Sequence, residues 1–294
     1  MHLVTLAFEK ERDNVIREIS TLRELYRDYN VDIGFSESMA GKTHFVRVFC
    51  DDNMESRLLK KADFYMADIL YKIAANEFIN NEMEPMLEDS YFFLKNDEIG
   101  ELKCECKNIL MTSEKHLTDS NIYCYNKKNI IVEKIKKLIR ENREINIEGF
   151  ITFRMKELNS DFAYIVNRIV EGYMVEREYE EFIKLLKYFV DMQEPKVNLV
   201  NIIIDEMGDY KYRDGKNKDI KKSLYNEIYD LNEEDSDGDD MLISLLIANS
   251  PKRIVIHKVE NAINEEIIDT IVKVFSGRVE LCNNCRLCGS IKEL

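Results

Sequence analysis

The stretch RIVIHKVENAINEEIIDTIVKVFSGRVELC, residues 253–282, decides the fold class of the C-terminal third of this chain. Its ends, 253–259 and 278–282, are short apolar runs typical of strands, and residues 264–275 between them carry apolar side chains at helical spacing. The connection is long enough for a right-handed crossover between two neighbouring parallel strands. The sequence therefore predicts a parallel β-α-β unit at the C-terminus.

The segment just upstream of this unit shows the same alternation of short apolar runs and helical patterns. Two strands and two helices are predicted there, at 197–205, 210–213, about 217–230 and about 239–249. Together with the β-α-β unit they make residues 196–294 an α/β unit that ends in a cysteine-rich tail.

The first fifty residues predict a small β-α-β-β unit. An apolar run at 2–8 is followed by a helix over 12–29, whose apolar residues recur every three or four positions. Strands at 31–35 and 45–50 are predicted to form a hairpin, joined by a polar loop over 36–43.

The middle of the chain is predicted to be mainly helical. Helical patterns cover 57–79, 99–110, 128–142, 147–158 and 161–192. A further helix is predicted to follow 57–79, with Pro85 in its first turn. The polar residues 112–126 are predicted to form a loop. We therefore expect a mixed α/β (α+β-like) fold with a helical middle. The predicted segments are 1–126, 127–195 and 196–294, with one continuous domain as the alternative.

The composition limits the class of protein. The chain has 294 residues, of which 42 are Lys or Arg and 56 are Asp or Glu, so its formal net charge is −14. That balance argues against a protein that wraps nucleic acid or lies on an anionic membrane. No apolar run approaches the about 18 residues of a membrane span, and the N-terminus lacks the cationic start of a signal peptide. We therefore expect a cytoplasmic protein with reduced thiols.

Two stretches of the helical middle carry a family resemblance. They are IEGFITFRMK at 147–156 and EREYEEFIKLLKYFV at 176–190, followed by Gln193, Glu194 and Pro195. Together they resemble the YtxC family, proteins assigned to sporulation in endospore-forming Firmicutes. The strand with Ile256 and His257 and the cysteine-rich C-terminus also fit that family. The resemblance implies a cytoplasmic protein with a role in sporulation. It implies no established biochemical activity and supplies no catalytic residues.

Read physically, the two stretches predict packing between helices. Their aromatic residues recur at helical spacing and are predicted to form an aromatic core: Phe150, Phe153, Tyr179, Phe182, Tyr188 and Phe189. Arg154 is predicted to form a buried ion pair with Glu178 or Glu181 across the packed helices. We interpret that pair as structural, since structural ion pairs also perturb charges.

The most specific chemical feature is the pattern Cys-x-x-Cys-x-x-Cys at Cys282, Cys285 and Cys288. Thiolates at this spacing can converge on one soft metal ion, because a tight turn brings their sulfur atoms to tetrahedral separation. Zinc needs a fourth ligand, and a four-iron cluster usually takes four cysteines. Zinc and an iron–sulfur cluster therefore both stay open, as do unligated thiols.

His257 is the candidate fourth ligand. If 253–259 and 278–282 are neighbouring parallel strands, His257 and Cys282 lie near the same C-terminal edge of the sheet, where ligand sites gather in open α/β sheets. The alternative for His257 is a core histidine with satisfied hydrogen bonds.

A basic segment at 127–143 stands out on this acidic chain. It holds seven basic residues against two acids; the basic residues are Lys127, Lys128, Lys134, Lys136, Lys137, Arg140 and Arg143. The segment is either a solvated helix face or a docking face for an acidic partner. We expect nucleic acid there least, since aromatic stacking groups are not arranged around it.

The sequence contains no complete set of catalytic residues that we recognise. The leading hypothesis is therefore a non-catalytic interaction or regulatory protein of sporulation, with an unidentified protein partner. The rival hypothesis is a metal-binding or iron–sulfur redox protein that uses the C-terminal thiols.

Overall fold

The computed structural model describes residues 1–9, 13–27, 31–51, 55–112, 119–225, 238–283 and 285. The chain clusters into two compact units, Met1–Met174 and Val175–Leu294. Each unit has its own four-stranded sheet and its own hydrophobic core. The predicted mixed α/β fold with a helical middle is confirmed. The bounds of the three predicted segments differ from those of the two units. The division into three segments stays a prediction.

The sheet of the first unit contains the β-α-β-β unit that the sequence predicts. Strand β1 (His2–Phe8) is followed by helix α1 (Asp13–Arg27), β2 (Ile33–Ala40) and β3 (Thr43–Cys50). Strand β3 pairs antiparallel with both β1 and β2. A short strand that the sequence does not predict, β4 (Glu144–Asn146), pairs parallel with β1, so the sheet order is β2-β3-β1-β4.

The predicted loop at 36–43 is wrong, because most of it belongs to the hairpin strands. The turn is Gly41–Lys42 alone, and Gly41 has φ +64°, which favours glycine. Strand β2 is at the edge of the sheet, and its residues 36–40 are all exposed. Exposure on both faces removes the alternation of apolar and polar residues, so the strand has the polarity of a loop.

Four helices follow β3: α2 (Ser56–Asn81), α3 (Met83–Ser90), α4 (Asn96–Met111) and α5 (Asp119–Glu141). Helix α5 begins well before the predicted start at 128, so the predicted loop at 112–126 is wrong for residues 119–126; residues 113–118 lie outside the described part. Within 122–127 only Cys124 is buried. A single inward side chain gives no helical period, which explains the missed helical turns.

Helix α6 (Ile147–Met192) is continuous over 46 residues, whereas the sequence predicts two helices with a break at 159–160. The Asn159-Ser160 pair does not interrupt it, since the Ser160 hydroxyl donates to the backbone oxygen of Glu157 at 3.1 Å within the helix. Leu158 and Phe162 on either side of the pair are buried. Helix α6 begins in the first unit and ends in the second.

The predicted aromatic core is wrong for most of its members. Phe150 is buried and Tyr179 is partly buried, but the side chains of Phe153 and Phe182 are 75% and 54% exposed, and Tyr188 and Phe189 are exposed too. Towards the end of α6 the buried positions are aliphatic: Ile183, Leu186 and Val190 pack on the core of the second unit. Adjacent helical positions differ by about 100°, so Phe182 and Phe189 point away from that core.

The predicted ion pair of Arg154 with Glu178 or Glu181 is also wrong. These residues lie on one continuous helix, so they cannot face each other across two packed helices. Arg154 instead pairs with Glu157 at 3.3 Å, and Glu181 pairs with Arg177 at 3.2 Å. In both pairs the glutamate side chain is exposed, so we expect each pair to contribute little to stability.

The second unit confirms the predicted parallel β-α-β arrangement. Its strands are β5 (Leu199–Ile204), β6 (Tyr210–Arg213), β7 (Arg253–His257) and β8 (Val279–Leu281), in the sheet order β6-β5-β7-β8. Strands β5, β7 and β8 are parallel, and β6 is antiparallel to β5. The helices are α7 (Lys221–Tyr225), α8 (Gly238–Asn249) and α9 (Glu265–Val274), with a 3₁₀ turn at Val259–Asn261.

None of the helices in the described ranges combines the length and the apolar character that crossing a bilayer requires.

Candidate metal centre

The C-terminal edge of the second sheet brings the first two candidate ligands together. His257 is the last residue of β7, and Cys282 directly follows β8. The two strands are in parallel register, with Ile256 opposite Leu281. The backbone N–H of Cys282 donates to the Ile256 oxygen at 2.8 Å and extends the ladder by one bond. The residues that leave the two strands are therefore held side by side.

The third candidate ligand returns to the same point. The Cys285 Sγ atom lies 3.5 Å from His257 Nδ1. One ligand atom from each of His257, Cys282 and Cys285 lies within 4.8 Å of the other two. Among the residues that the structure describes, these form the one group of three or more His, Cys, Asp or Glu side chains close enough to share a metal ion.

The separation of Cys285 Sγ and His257 Nδ1 fits a tetrahedral zinc ion. With Zn–S near 2.3 Å and Zn–N near 2.0–2.1 Å, a sulfur and a nitrogen ligand stand about 3.5 Å apart and two sulfur ligands about 3.8 Å apart. The observed 3.5 Å between Cys285 Sγ and His257 Nδ1 is the first of these distances. Three ligands leave one tetrahedral position, and Cys288, the remaining predicted ligand, lies outside the described residues.

Asn201 on β5 fixes the orientation of the imidazole ring. Its Oδ1 atom lies 3.2 Å from His257 Nε2, and its Nδ2 atom donates to the backbone oxygen of Asp214 at 3.0 Å. Because the amide nitrogen is engaged there, the amide oxygen faces the ring and accepts a hydrogen bond from Nε2–H. The lone pair is then on Nδ1, the nitrogen that faces Cys285. A metal-ligating histidine commonly has such a hydrogen-bonded partner on its other nitrogen.

Burial supports the same protonation state. His257 is 2% exposed, and desolvation lowers the pKa of its imidazole below the ordinary value. A neutral ring is the form that binds metals. Cys282 is half-buried and Cys285 is exposed, so an ion from solvent can reach the sulfur atoms.

Sequence reasoning missed Asn201, although the sequence contains a signal for it. The run LVNIII at 199–204 holds one polar residue among five apolar ones, and every residue from 200 to 204 is buried. A buried polar side chain needs a partner, which is a reason to look for one across the sheet.

The other cysteines of the helical region do not form such a site. Cys106 is fully buried in α4, and burial raises the pKa of its thiol to about 12. Cys104 lies on the exposed side of the same helix. A thiol with so high a pKa stays protonated at neutral pH and is a poor metal ligand.

Comparison with known proteins places the chain in a family. The model of the YtxC-like family matches residues 64–280, which is most of the chain. The chain belongs to the YtxC-like family. The resemblance inferred from residues 147–195 is therefore confirmed. A curated relative, "Uncharacterized protein YtxC" of Bacillus subtilis (strain 168), is 23% identical over 220 residues, covering 74% of this chain and 76% of the relative. No solved structure matches.

The family match covers only part of the candidate metal centre of this YtxC-like chain. Asn201 and His257 lie inside the matched range, which ends at residue 280, two residues before Cys282. The family match therefore does not extend to the cysteine-rich tail, and the metal site depends on the geometry of this chain.

The basic segment at 127–143 of the YtxC-like chain is largely engaged in contacts within its own unit. Asp161 accepts ion pairs from both Lys127 and Lys134, and Asp63 accepts one from Arg140. The remaining four basic residues also have partners: Lys128 with the Thr112 backbone oxygen, Lys136 with Glu133, Lys137 with Glu141 and Arg143 with the Leu3 backbone oxygen. The segment is thus not a uniformly solvated face.

Proposed function

We propose that the C-terminal unit binds one zinc ion through His257 Nδ1 and the thiolates of Cys282 and Cys285, with Cys288 as the fourth ligand. The convergence of three ligand atoms within 4.8 Å at one sheet edge carries the proposal. The contact between Asn201 and His257 supports it, because it fixes the ring nitrogen that faces the sulfur atoms.

The ligand set favours zinc over an iron–sulfur cluster. Three cysteines and one histidine form a closed tetrahedral set used by structural zinc sites, whereas four-iron clusters take four cysteine ligands. A closed set leaves no position for a substrate. The proposed ion therefore ties the tail to strands β7 and β8 and has no catalytic role.

Metal analysis of the full-length protein, purified without added metal or oxygen, tests this function. We expect about one zinc per chain. Iron together with a visible absorption band would contradict the zinc assignment in favour of a cluster. Protein that contains no stoichiometric metal, and gains none on dialysis against zinc, would contradict metal binding altogether.

We further propose that the protein acts in sporulation, in the cytoplasm, through interaction with another protein chain. The sporulation part rests on the family resemblance. The interaction part is supported by an apolar stripe on α6, where large side chains are exposed at spacings of three, four or seven residues: Val175, Phe182, Leu185, Tyr188, Phe189 and Met192. Contiguous exposed apolar surface of this kind marks interaction sites.

The charge along α6 favours a second copy of the chain as the partner for this stripe. Residues 176–181 hold four glutamates and one arginine, whereas 184–187 hold two lysines and no acid. Antiparallel pairing of two copies places the acidic segment of each opposite the exposed Lys184 of the other, whereas Lys187 donates to the Ser276 hydroxyl at 2.6 Å within its own unit.

Light scattering coupled to size-exclusion chromatography tests this pairing. We expect the wild-type mass to be that of a dimer, and the double variant Phe182→Ser, Phe189→Ser to be a monomer, because the stripe loses its two central aromatic side chains. Phe153→Ser, a change at an even more exposed phenylalanine of the same helix outside the stripe, serves as the control and should stay dimeric. A monomeric wild type, or a dimeric double variant, would contradict the pairing.

A further inference from the structure

The first unit contains a cavity of about 880 Å³ between α2 and α5. Its wall is mainly basic and aromatic, with Arg57, Lys60, Phe64 and Tyr65 from α2 and Lys128 and Lys136 from α5. The volume lies within the range of about 300–1,000 Å³ that small-molecule sites occupy. The zinc proposal makes no use of this cavity.

The cavity concentrates positive charge on an acidic chain. Five of its lining residues are basic and one, Asp68, is acidic. The Asp68 carboxylate is already engaged by Lys72 at 3.3 Å, outside the cavity wall. The chain as a whole carries a net charge of −14, so this local excess runs against its composition. A concave site lined by one sign of charge attracts ligands of the opposite sign.

Lys128 gives the strongest indication of an anionic ligand. Its side chain is 8% exposed, and its Nζ atom contacts two neutral groups, the Thr112 backbone oxygen at 3.2 Å and the ring of Tyr71 at 4.8 Å from the centroid. Within the described residues, no carboxylate is close enough to form an ion pair with it. Asp68 in the same wall offsets the charge of Lys128 only in part, since burial still lowers the pKa of this ammonium group below its ordinary value. An anion in the cavity would supply the rest of the counter-charge.

The aromatic residues supply the other half of a ligand site. Phe64 and Tyr65 are both exposed, although they are large rings on a packed helix, and Tyr125 faces them from α5 in the same cavity wall. Exposed rings beside cations stack with heterocyclic bases, and such stacking tolerates any base. Cations and rings on one wall therefore match a ligand that has both phosphate groups and a base.

We propose that this cavity binds a nucleoside polyphosphate, with its phosphates on Arg57, Lys60 and Lys128 and its base against Phe64 and Tyr65. Arg57 and Lys60 are exposed at the start of α2, where they can adjust to the phosphates, while Lys128 is held in place by its buried contacts. The seven-residue basic segment at 127–143 contributes only Lys128 and Lys136 to the cavity.

Calorimetric titration of the full-length protein with ATP tests the site. We expect saturable binding of one ATP per chain. Lys60→Glu should weaken it about 10–100-fold, as loss of a charge-assisted contact does, and reversal of the charge adds repulsion. Lys137→Glu makes the same charge change at an exposed position of α5 outside the cavity, and it should leave the affinity within about twofold.

Two further ligands and one variant test which parts of the nucleotide are recognised. Pyrophosphate should bind more weakly than ATP, and Phe64→Ala should reduce ATP affinity to that of pyrophosphate. Equal affinity of the wild type for ATP and pyrophosphate would overturn the base contact. A single-stranded oligonucleotide that binds more tightly than ATP and competes with it would reassign the cavity to nucleic acid. Absence of ATP binding at millimolar concentration would overturn the proposal and leave the zinc site untouched.

Discussion

Cys282→Ser and Cys285→Ser are each expected to lower the zinc affinity of the full-length protein by more than about 100-fold. Loss of a hydrogen-bonded partner behind a ligand costs about 10–100-fold, and loss of a ligand itself removes a metal–sulfur bond and exceeds that. Asn201→Leu should fall within the 10–100-fold range, because the imidazole stays but its Nε2–H loses the contact at 3.2 Å. Competition with a chromogenic chelator measures all three affinities.

Cys104→Ser is the matched control for these variants. Cys104 is an exposed cysteine of α4 in the other unit, so the same substitution there should leave zinc affinity unchanged. Equal losses in Cys104→Ser and Cys282→Ser would show non-specific thiol binding and contradict the site. An unchanged affinity in Cys282→Ser would contradict it as well.

Phe162→Ala is expected to destabilise the first unit by about 3–5 kcal/mol, the usual range for truncating a large core aromatic residue. Phe162 is 0% exposed in α6, and its ring lies against Tyr71 and Phe78 of α2, with centroids at 5.8 and 5.2 Å. Truncation leaves a cavity and removes both ring contacts. Urea unfolding followed by circular dichroism measures the change in the free energy of unfolding.

Phe153→Ala is the control for this second prediction. Phe153 lies on the same helix but is 75% exposed, so its removal should change stability by less than about 0.5 kcal/mol. The sequence instead predicts that Phe153 belongs to an aromatic core. Equal losses for the two variants would contradict the burial that the structure assigns to α6.

The elements that the sequence predicts best are those with one clear buried face. Strands β7 and β8 and helix α9 between them are short, strongly patterned and adjacent in the chain, so local apolar spacing and the handedness rule suffice to predict their parallel pairing. The same holds for β1 and α1, whose predicted and observed bounds agree closely.

The elements that sequence reasoning misses depend on distant partners or on exposure. Strand β4 is three residues long and forms because Ile145 pairs with Leu6. These two residues lie near opposite ends of the first unit's sequence, so no local pattern predicts their pairing. The prediction for strand β2 is too short, because the exposed edge residues of this strand do not alternate between apolar and polar. The aromatic residues of α6 misled the prediction, since aromatic side chains at helical spacing can line a surface as well as a core.

The candidate centre shows the same division. The meeting of His257 with Cys282 is predictable, because two parallel neighbouring strands end at one edge of the sheet. The contact of Asn201 with His257 requires knowing that β5 lies beside β7, with Ile203 opposite His257. That register comes from folding of the whole unit, so no local pattern reveals it.

The central claim is that one imidazole nitrogen and the sulfur atoms of the tail share a single zinc ion. X-ray absorption at the zinc edge, on full-length protein loaded with one equivalent, tests it most directly. We predict a shell of sulfur atoms at about 2.3 Å with one nitrogen at about 2.0–2.1 Å, and loss of that nitrogen in His257→Ala. A shell of oxygen and nitrogen alone, or one unchanged by His257→Ala, would contradict the account.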